Sequence, residues 1–145
     1  MERDALPPSP RAIGADDYEA LAAFRHALRR FLAFSEAAAR ASGLTAQQHQ
    51  AILAIKGHRI GEPLSIGELA DHLLIRHHSA VELVDRLVQA DLVTRSVAED
   101  DRRRVVVGLT PKAEAILKDL SAVHLEELRR SKALLMQLLE RLDAS

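Results

Sequence analysis

The stretch from Leu64 to Thr110 constrains the fold more than any other part of the chain. Ser65 and Glu68 stand at the spacing of a capping box, and Ile66, Leu69, Ala70 and Leu73 follow at helical period. This predicts a short helix that stops at a turn through Leu74 and Ile75. A second helix, RHHSAVELVDRLVQADLV, is expected to bury Val81, Val84, Leu87 and Val88 and to turn His77, His78, Ser79, Glu82 and Arg86 outward. Two β-branched runs come next, Val93 to Val97 and Val105 to Leu109, with a charged tip from Glu99 to Arg103 between them. That pattern predicts a hairpin, although no Asn-Gly turn marks it. Two helices across a short turn, then a hairpin with a basic tip, make a winged helix-turn-helix. Such a module puts one helix in the DNA major groove and lays the hairpin on the backbone or in the minor groove.

The flanks read as helices. Residues 1–15 hold Pro7, Pro8, Pro10 and Gly14 without a period, and a mobile arm is expected there. Asp16 is expected to cap a helix to about Ala41, with Leu21, Phe24, Leu28, Phe31 and Ser35 on one stripe and Phe34 and Ala38 beside it. Gly43 closes that helix. Thr45 and Gln48 form another capping box, opening a helix to about Lys56 that should bury Ile52, Leu53 and Ile55. Thr110 before Pro111 is a helix start, and a helical pattern then runs to about Asp143. The polar stretch Arg130 to Lys132 is expected to divide it into two helices. The fold class is therefore mainly α with a small β-hairpin wing. Residues 44–110 form the DNA-binding domain, and 16–43 with 111–145 form a helical dimerisation region. A homodimer is expected because the middle helices already supply the motif's core. The apolar faces of the terminal helices are most economically buried against a second copy; a three-helix cap within one chain is the alternative.

Composition narrows the function. The chain has no cysteine, which excludes a disulfide framework and a thiol switch within it. No apolar run approaches the roughly 18 residues of a membrane span and no apolar leader opens the sequence, so a cytoplasmic protein without a membrane partner is expected. Twenty Lys and Arg against 21 Asp and Glu give a formal net charge of −1, not the footprint of a simple nucleic-acid binder. DNA affinity would have to come from where the charges point. There is no glycine-rich phosphate loop, His-Glu metalloprotease helix or G-x-S-x-G elbow, so no enzyme and no cofactor are expected. The seven histidines raise metal sensing, yet none stands four residues from another. His77 and His78 diverge by about 100° around a helix, so no metal site is assigned.

From about Tyr18 to Leu142 the chain resembles the multiple-antibiotic-resistance regulator (MarR) family of bacterial winged helix-turn-helix repressors. Leu83-Val84-Asp85-Arg86-Leu87, then Asp101-Arg102-Arg103, then Leu109-Thr110 carry the resemblance in order and at family spacing, with Leu44-Thr45 and Gln48 before them. It implies a dimeric transcriptional regulator on double-stranded operator DNA, released by a small aromatic or phenolic effector. In the family the wing aspartate pairs with a neighbouring arginine and holds the tip while an arginine enters the minor groove. Asp101 and Arg103 occupy those positions, inside the run Arg102 to Arg104. A weakly hydrated guanidinium suits the concentrated negative potential of a narrow groove.

The resemblance also places Arg76, His77, His78, Ser79 and Glu82, with Arg86 beside them, where phosphates and base edges are met. Glu82 stands where arginine is common; a carboxylate there would read a cytosine amine or pair with Arg86. Leu74 replaces a glycine of the helix-helix turn, and Asp91 replaces the glycine that ends the recognition helix. His49 sits where relatives place a bulky aromatic. With Phe31 and Phe34 it would line a pocket that orients a phenolate or carboxylate, and the plainer reading is a histidine hydrogen-bonded in a helix interface. A winged-helix protein-interaction module without specific DNA binding remains the alternative, supported by the near-neutral motif and Glu82.

Overall fold

Of the four helices whose sequence announces a cap, three open on it. In the computed structural model, which describes residues 12–59 and 61–143, the exception is α1 (Ala15–Ala41). Its N-cap is Gly14 rather than Asp16: the Gly14 N–H donates to the Asp17 carboxylate at 2.9 Å. Asp16 and Asp17 lie in the first turn, where the helix dipole favours negative charge. The arm expected over residues 1–15 falls mostly on residues 1–11, outside the described residues. Helix α2 (Ala46–Gly57) opens on the Thr45–Gln48 capping box, with both reciprocal hydrogen bonds formed at 3.0 and 3.1 Å. Helix α3 (Ile66–Leu73) opens on the Ser65–Glu68 box, and α4 (His77–Gln89) follows two residues beyond Leu74.

The hairpin lies where its β-branched runs placed it. Strand β2 (Val93–Val97) pairs antiparallel with β3 (Val105–Leu109), from Val93 opposite Leu109 to Val97 opposite Val105. A two-residue strand, β1 (Leu64–Ser65), adds to the other edge of β3, giving the order β1-β3-β2. Two residues are too few to show a period, and no sequence signal marks this strand. Ile52, Leu69, Val84, Leu87 and Leu92 are the largest fully buried side chains, so the core sits among α2, α3, α4 and the start of the sheet.

Three expectations need correction. The last helix is single: α5 runs unbroken from Pro111 to Asp143. Arg130 to Lys132 is polar but contains no helix breaker, and Arg130 pairs back one turn to Glu126 at 2.6 Å. Leu53 is exposed, because it shares a helical face with Gln50 and Gly57 rather than with Ile52. Val88 is also exposed; it lies about 90° around α4 from the face of Ala80, Leu83, Val84 and Leu87.

Helix α5 is fastened to the end of α4. The Thr110 side chain accepts from the Ala113 N–H at 3.2 Å and donates to the Asp91 carbonyl at 2.7 Å. Lys112 Nζ donates to the Ala90 carbonyl at 2.9 Å, placing a cation at the negative end of α4. Farther along, α1 and α5 pack antiparallel, with Glu19 near Arg141 at one end and Ser35 bonded to His124 toward the other. Among the described residues no helix is long and apolar enough to cross a membrane.

Among the described residues two that bear side chains adopt left-handed backbone, Leu74 at φ 56° and Asp91 at φ 58°. Leu74 closes α3 with 91% of its surface exposed, so its side chain gains almost nothing from packing. The left-handed conformation costs a branched residue about 1 kcal/mol, whereas aspartate tolerates it better. Leu74→Gly is therefore expected to raise unfolding stability by up to about 1 kcal/mol, after the backbone entropy glycine loses on folding. Asp91→Gly should gain less. Urea unfolding of the two variants tests this; destabilisation by Leu74→Gly would show that the leucine side chain supports the turn.

Candidate nucleic-acid interface

The wing tip is shaped by backbone hydrogen bonds around Asp101. Ala98 N–H donates to the Arg104 carbonyl at 2.9 Å, and Arg104 N–H to the Asp101 carbonyl at 3.0 Å. The Asp101 carboxylate accepts the Arg103 backbone N–H at 3.0 Å and lies 3.6 Å from Arg103 Nε. Asp101 thus holds the tip chiefly through a peptide N–H. The Arg103 side chain is 94% exposed and stands out from the turn. Arg102 is exposed beside it.

Arg104 turns the other way. Its guanidinium donates to Glu68 Oε1 at 2.7 Å and to the Pro63 carbonyl at 3.3 Å. The same Glu68 oxygen accepts the Ser65 N–H at 3.2 Å, completing the cap of α3, and Glu68 Oε2 lies 3.6 Å from His58 Nε2. The Arg104 hydrogen bond, assisted by those from Ser65, outweighs partial burial and holds the Glu68 carboxyl below the usual carboxylate range. A second tie joins β2 to α4, where Arg95 pairs with Asp85. Both pairs are substantially exposed, so each contributes little to stability. What they fix is the direction of the wing. In the sequence Arg104 looks like its two neighbours in a basic run; in the structure it is bonded to the protein.

Helix α4 presents His78, Glu82 and Arg86 on the side opposite its buried face, with Ser79 half-buried at the margin and Arg76 exposed at the N-cap. Among the described residues no ion pair joins Glu82 to Arg86. A groove of about 630 Å³ runs between the start of α3, helix α4 and the wing. Of the residues expected at the interface it is lined by His77, Asp101, Arg103 and Arg104, and also by Ser65, Gly67, Arg95 and Ser96, which the sequence did not place there; Arg76, His78, Ser79, Glu82, Arg86 and Arg102 lie outside it. The pairing of Arg95 with Asp85 could be found only from the register between β2 and α4.

A second cluster forms where α2 meets α1 and α5. Buried His49 lies against His124, ring centroids 4.7 Å apart and planes tilted by 47°. Phe31 and Phe34 meet His124 roughly at right angles, at 6.0 and 5.5 Å. The Nδ1 of His124 lies 2.6 Å from the Leu120 carbonyl, and its Nε2 lies 2.7 Å from Ser35 Oγ. The three residues expected to share a site therefore do meet, around a histidine the sequence did not single out. The plainer reading of His49 as a hydrogen-bonded interface histidine is corrected at one atom, because its buried Nδ1 has no partner. Burial, and then the neighbouring charge of His124, push the His49 pKa below the ordinary histidine value.

Comparison with known proteins falls on the same geometry. Residues 42–104, from the end of α1 to the wing tip, match the model of the MarR family. The chain carries a MarR-family winged helix. Over 72 residues it is 36% identical to an uncharacterized HTH-type transcriptional regulator of Bacillus subtilis, YfiV, covering 50% of this chain and 45% of that protein. The chain thus spans about half the length of that relative. The MarR-family fold extends beyond the matched region. AbsC, a MarR family transcriptional regulator from Streptomyces coelicolor, superposes with a TM-score of 0.71 at 19% identity, over 93% of this chain and 99% of that one. A variant of Staphylococcus aureus MepR bound to an oligodeoxyribonucleotide superposes with a TM-score of 0.65 at 20% identity, over 86% and 97% of the two chains. These likenesses include α1 and α5 and show a shared fold.

Proposed function

We propose that the chain is a dimeric, sequence-specific regulator of transcription that binds double-stranded operator DNA as a repressor and is released by a small aromatic or phenolic ligand. The observation that carries the DNA reading is the groove between α4 and the wing, with Arg103 extended from a tip fixed by Asp101. The family match over residues 42–104 and the DNA-bound relative support it. In this reading residues 44–110 are the DNA-binding domain. His78, Ser79, Glu82 and Arg86 address the major groove, Arg76 and His77 the flanking phosphates, and Arg102 and Arg103 the minor groove. Asp101 and Arg104 act by position.

Dimerisation is supported by surface that one chain leaves uncovered. Tyr18, Leu21, Leu28 and Leu32 on α1, and Leu128, Leu134, Leu139 and Leu142 on α5, are large, apolar and exposed. Residues 16–43 and 111–145 would bury this surface against a second copy, with Phe24, Phe31 and Leu135 alongside. Unfolding midpoints should then rise with protein concentration. A monomer by sedimentation at micromolar concentration would rule this out.

Ligand release would act through α5, because Thr110 and Lys112 tie its first turn to the end of α4. A ligand among Phe31, Phe34 and His49 that moves α5 would move the recognition helix, provided it prefers the DNA-incompetent spacing. In a thermal-shift screen of aromatic carboxylates and phenols, at least one stabilising compound should weaken duplex binding. If none does, the ligand-release reading fails.

The wing gives the sharpest test. Arg103→Ala should weaken binding to a duplex from the region upstream of the gene by about 1–3 kcal/mol per contact, and flatten its salt dependence. Asp101→Ala removes a negative charge, so charge alone would strengthen binding. Loss of the bond to the Arg103 N–H should instead unfix the tip and weaken it. Affinities at matched salt decide between these outcomes, and tighter binding by Asp101→Ala would show that the wing acts by charge alone.

A further inference from the structure

We propose that the His49–His124 pair is a proton-operated latch joining α2 to α1 and α5, and that forcing a second proton onto the pair opens this junction and weakens DNA binding. The second half rests on the DNA-binding reading above; the latch itself does not.

The two rings differ in what they can accept. A carbonyl oxygen only accepts, so His124 Nδ1 carries a hydrogen and donates to Leu120. In the neutral ring Nε2 then accepts from the Ser35 hydroxyl; in the protonated ring Nε2 donates and the same hydroxyl rotates to accept. His124 can therefore hold a second hydrogen without losing a bond. His49 has no such arrangement. Whichever nitrogen takes the proton, an imidazolium at this site has an Nδ1–H with no acceptor, in a side chain only 4% exposed. It would also stand with its ring centre 4.7 Å from a charged His124.

Among the described residues the groups in contact with the pair carry no negative charge to offset a second proton. From α1 the facing groups are Phe31, Phe34 and the uncharged Ser35, and from α5 the Leu120 carbonyl. Among the described residues no carboxylate of α1, α2 or α5 bonds to either ring; Glu36 and Glu114 are paired at the surface with Arg40 and Lys56. The folded junction resists the proton on His49 that the opened junction accepts. The sign follows: a histidine whose pKa is depressed on folding contributes stability in full above about pH 6.5, and this is lost as pH falls through the folded value. Opening the junction frees α5, which Thr110 and Lys112 fasten to the end of α4, so the recognition helix loses its support. Contacts from His77 and His78 to phosphate would strengthen on protonation. A loss of affinity in acid therefore has the opposite sign to anything they contribute.

The test uses the full chain with 13C-labelled histidine. Ring chemical shifts, unfolding midpoints and binding to the upstream duplex are measured from about pH 8 to about pH 5 at fixed salt. The wild-type midpoint should fall below about pH 6.5 while the His49 ring remains neutral. His49→Phe should remove that fall, and His26→Gln, on an exposed position of α1, should leave it intact. In His124→Gln, which keeps His49 but removes its charged neighbour, the His49 ring should take up its proton at higher pH than in the wild type; this arm stands even if His49→Phe does not fold. Wild-type duplex affinity should drop about tenfold for each pKa unit separating the bound and released states, and His49→Phe should abolish the drop. A His49 ring that titrates as an exposed histidine does, or parallel midpoint losses in wild type and His49→Phe, overturns the latch. A latch that opens without change in duplex affinity overturns its regulatory half, and absence of duplex binding at every pH overturns the DNA reading alone.

Discussion

One carboxylate organises the wing side of this molecule. Glu68 accepts the N–H that caps α3, receives the guanidinium that holds the base of the wing, and lies within 3.6 Å of His58 where α2 ends. Three elements that share the apolar core are thereby also tied together at its polar edge. Together with Asp85, which holds Arg95 between α4 and β2, it makes the wing an extension of the two helices. The exposed ion pairs add little to the free energy of folding. Their consequence is geometric, and geometry is what a groove reader requires.

Charge balance makes that geometry necessary. With 20 cations and 21 anions the chain has no diffuse positive field with which to hold a polyanion. Arg95 and Arg104 are bonded to carboxylates of the protein, and Arg102 and Arg103 are left extended on a tip whose backbone Asp101 fixes. A small number of cations, aimed by others, replaces a large number that are merely near. Away from the wing, the His49–His124 contact ties α2 to the long helices, and Thr110 and Lys112 tie the end of α4 to α5. The two ends of the module are mechanically connected through α4.

What was legible in the sequence was local. The boxes Thr45–Gln48 and Ser65–Glu68 close within four residues, and the hairpin strands are rich in β-branched residues, so their limits agree with the structure. The left-handed turn at Asp91 was legible because the residue type and its place after a helix agree. Errors arose where a residue's partner is distant. Arg104 differs from Arg102 and Arg103 only through Glu68, 36 residues earlier. His124 acquires meaning only against Ser35, 89 residues away, and His49. Leu53 and Val88 were misplaced by reading apolarity as burial, and the division of α5 by reading polarity as a break.

The most direct test of the account is a double-variant cycle on Glu68 and Arg104, read as affinity for the upstream duplex at matched salt. Glutamine can still cap α3, so Glu68→Gln loosens the wing without unmaking the helix start. If Glu68 acts by aiming the wing, Glu68→Gln weakens binding although it removes a negative charge, Arg104→Ala weakens it similarly, and the double variant is little worse than either. Tighter binding by Glu68→Gln, with the two effects adding independently, would contradict the account and leave the wing as a simple carrier of charge.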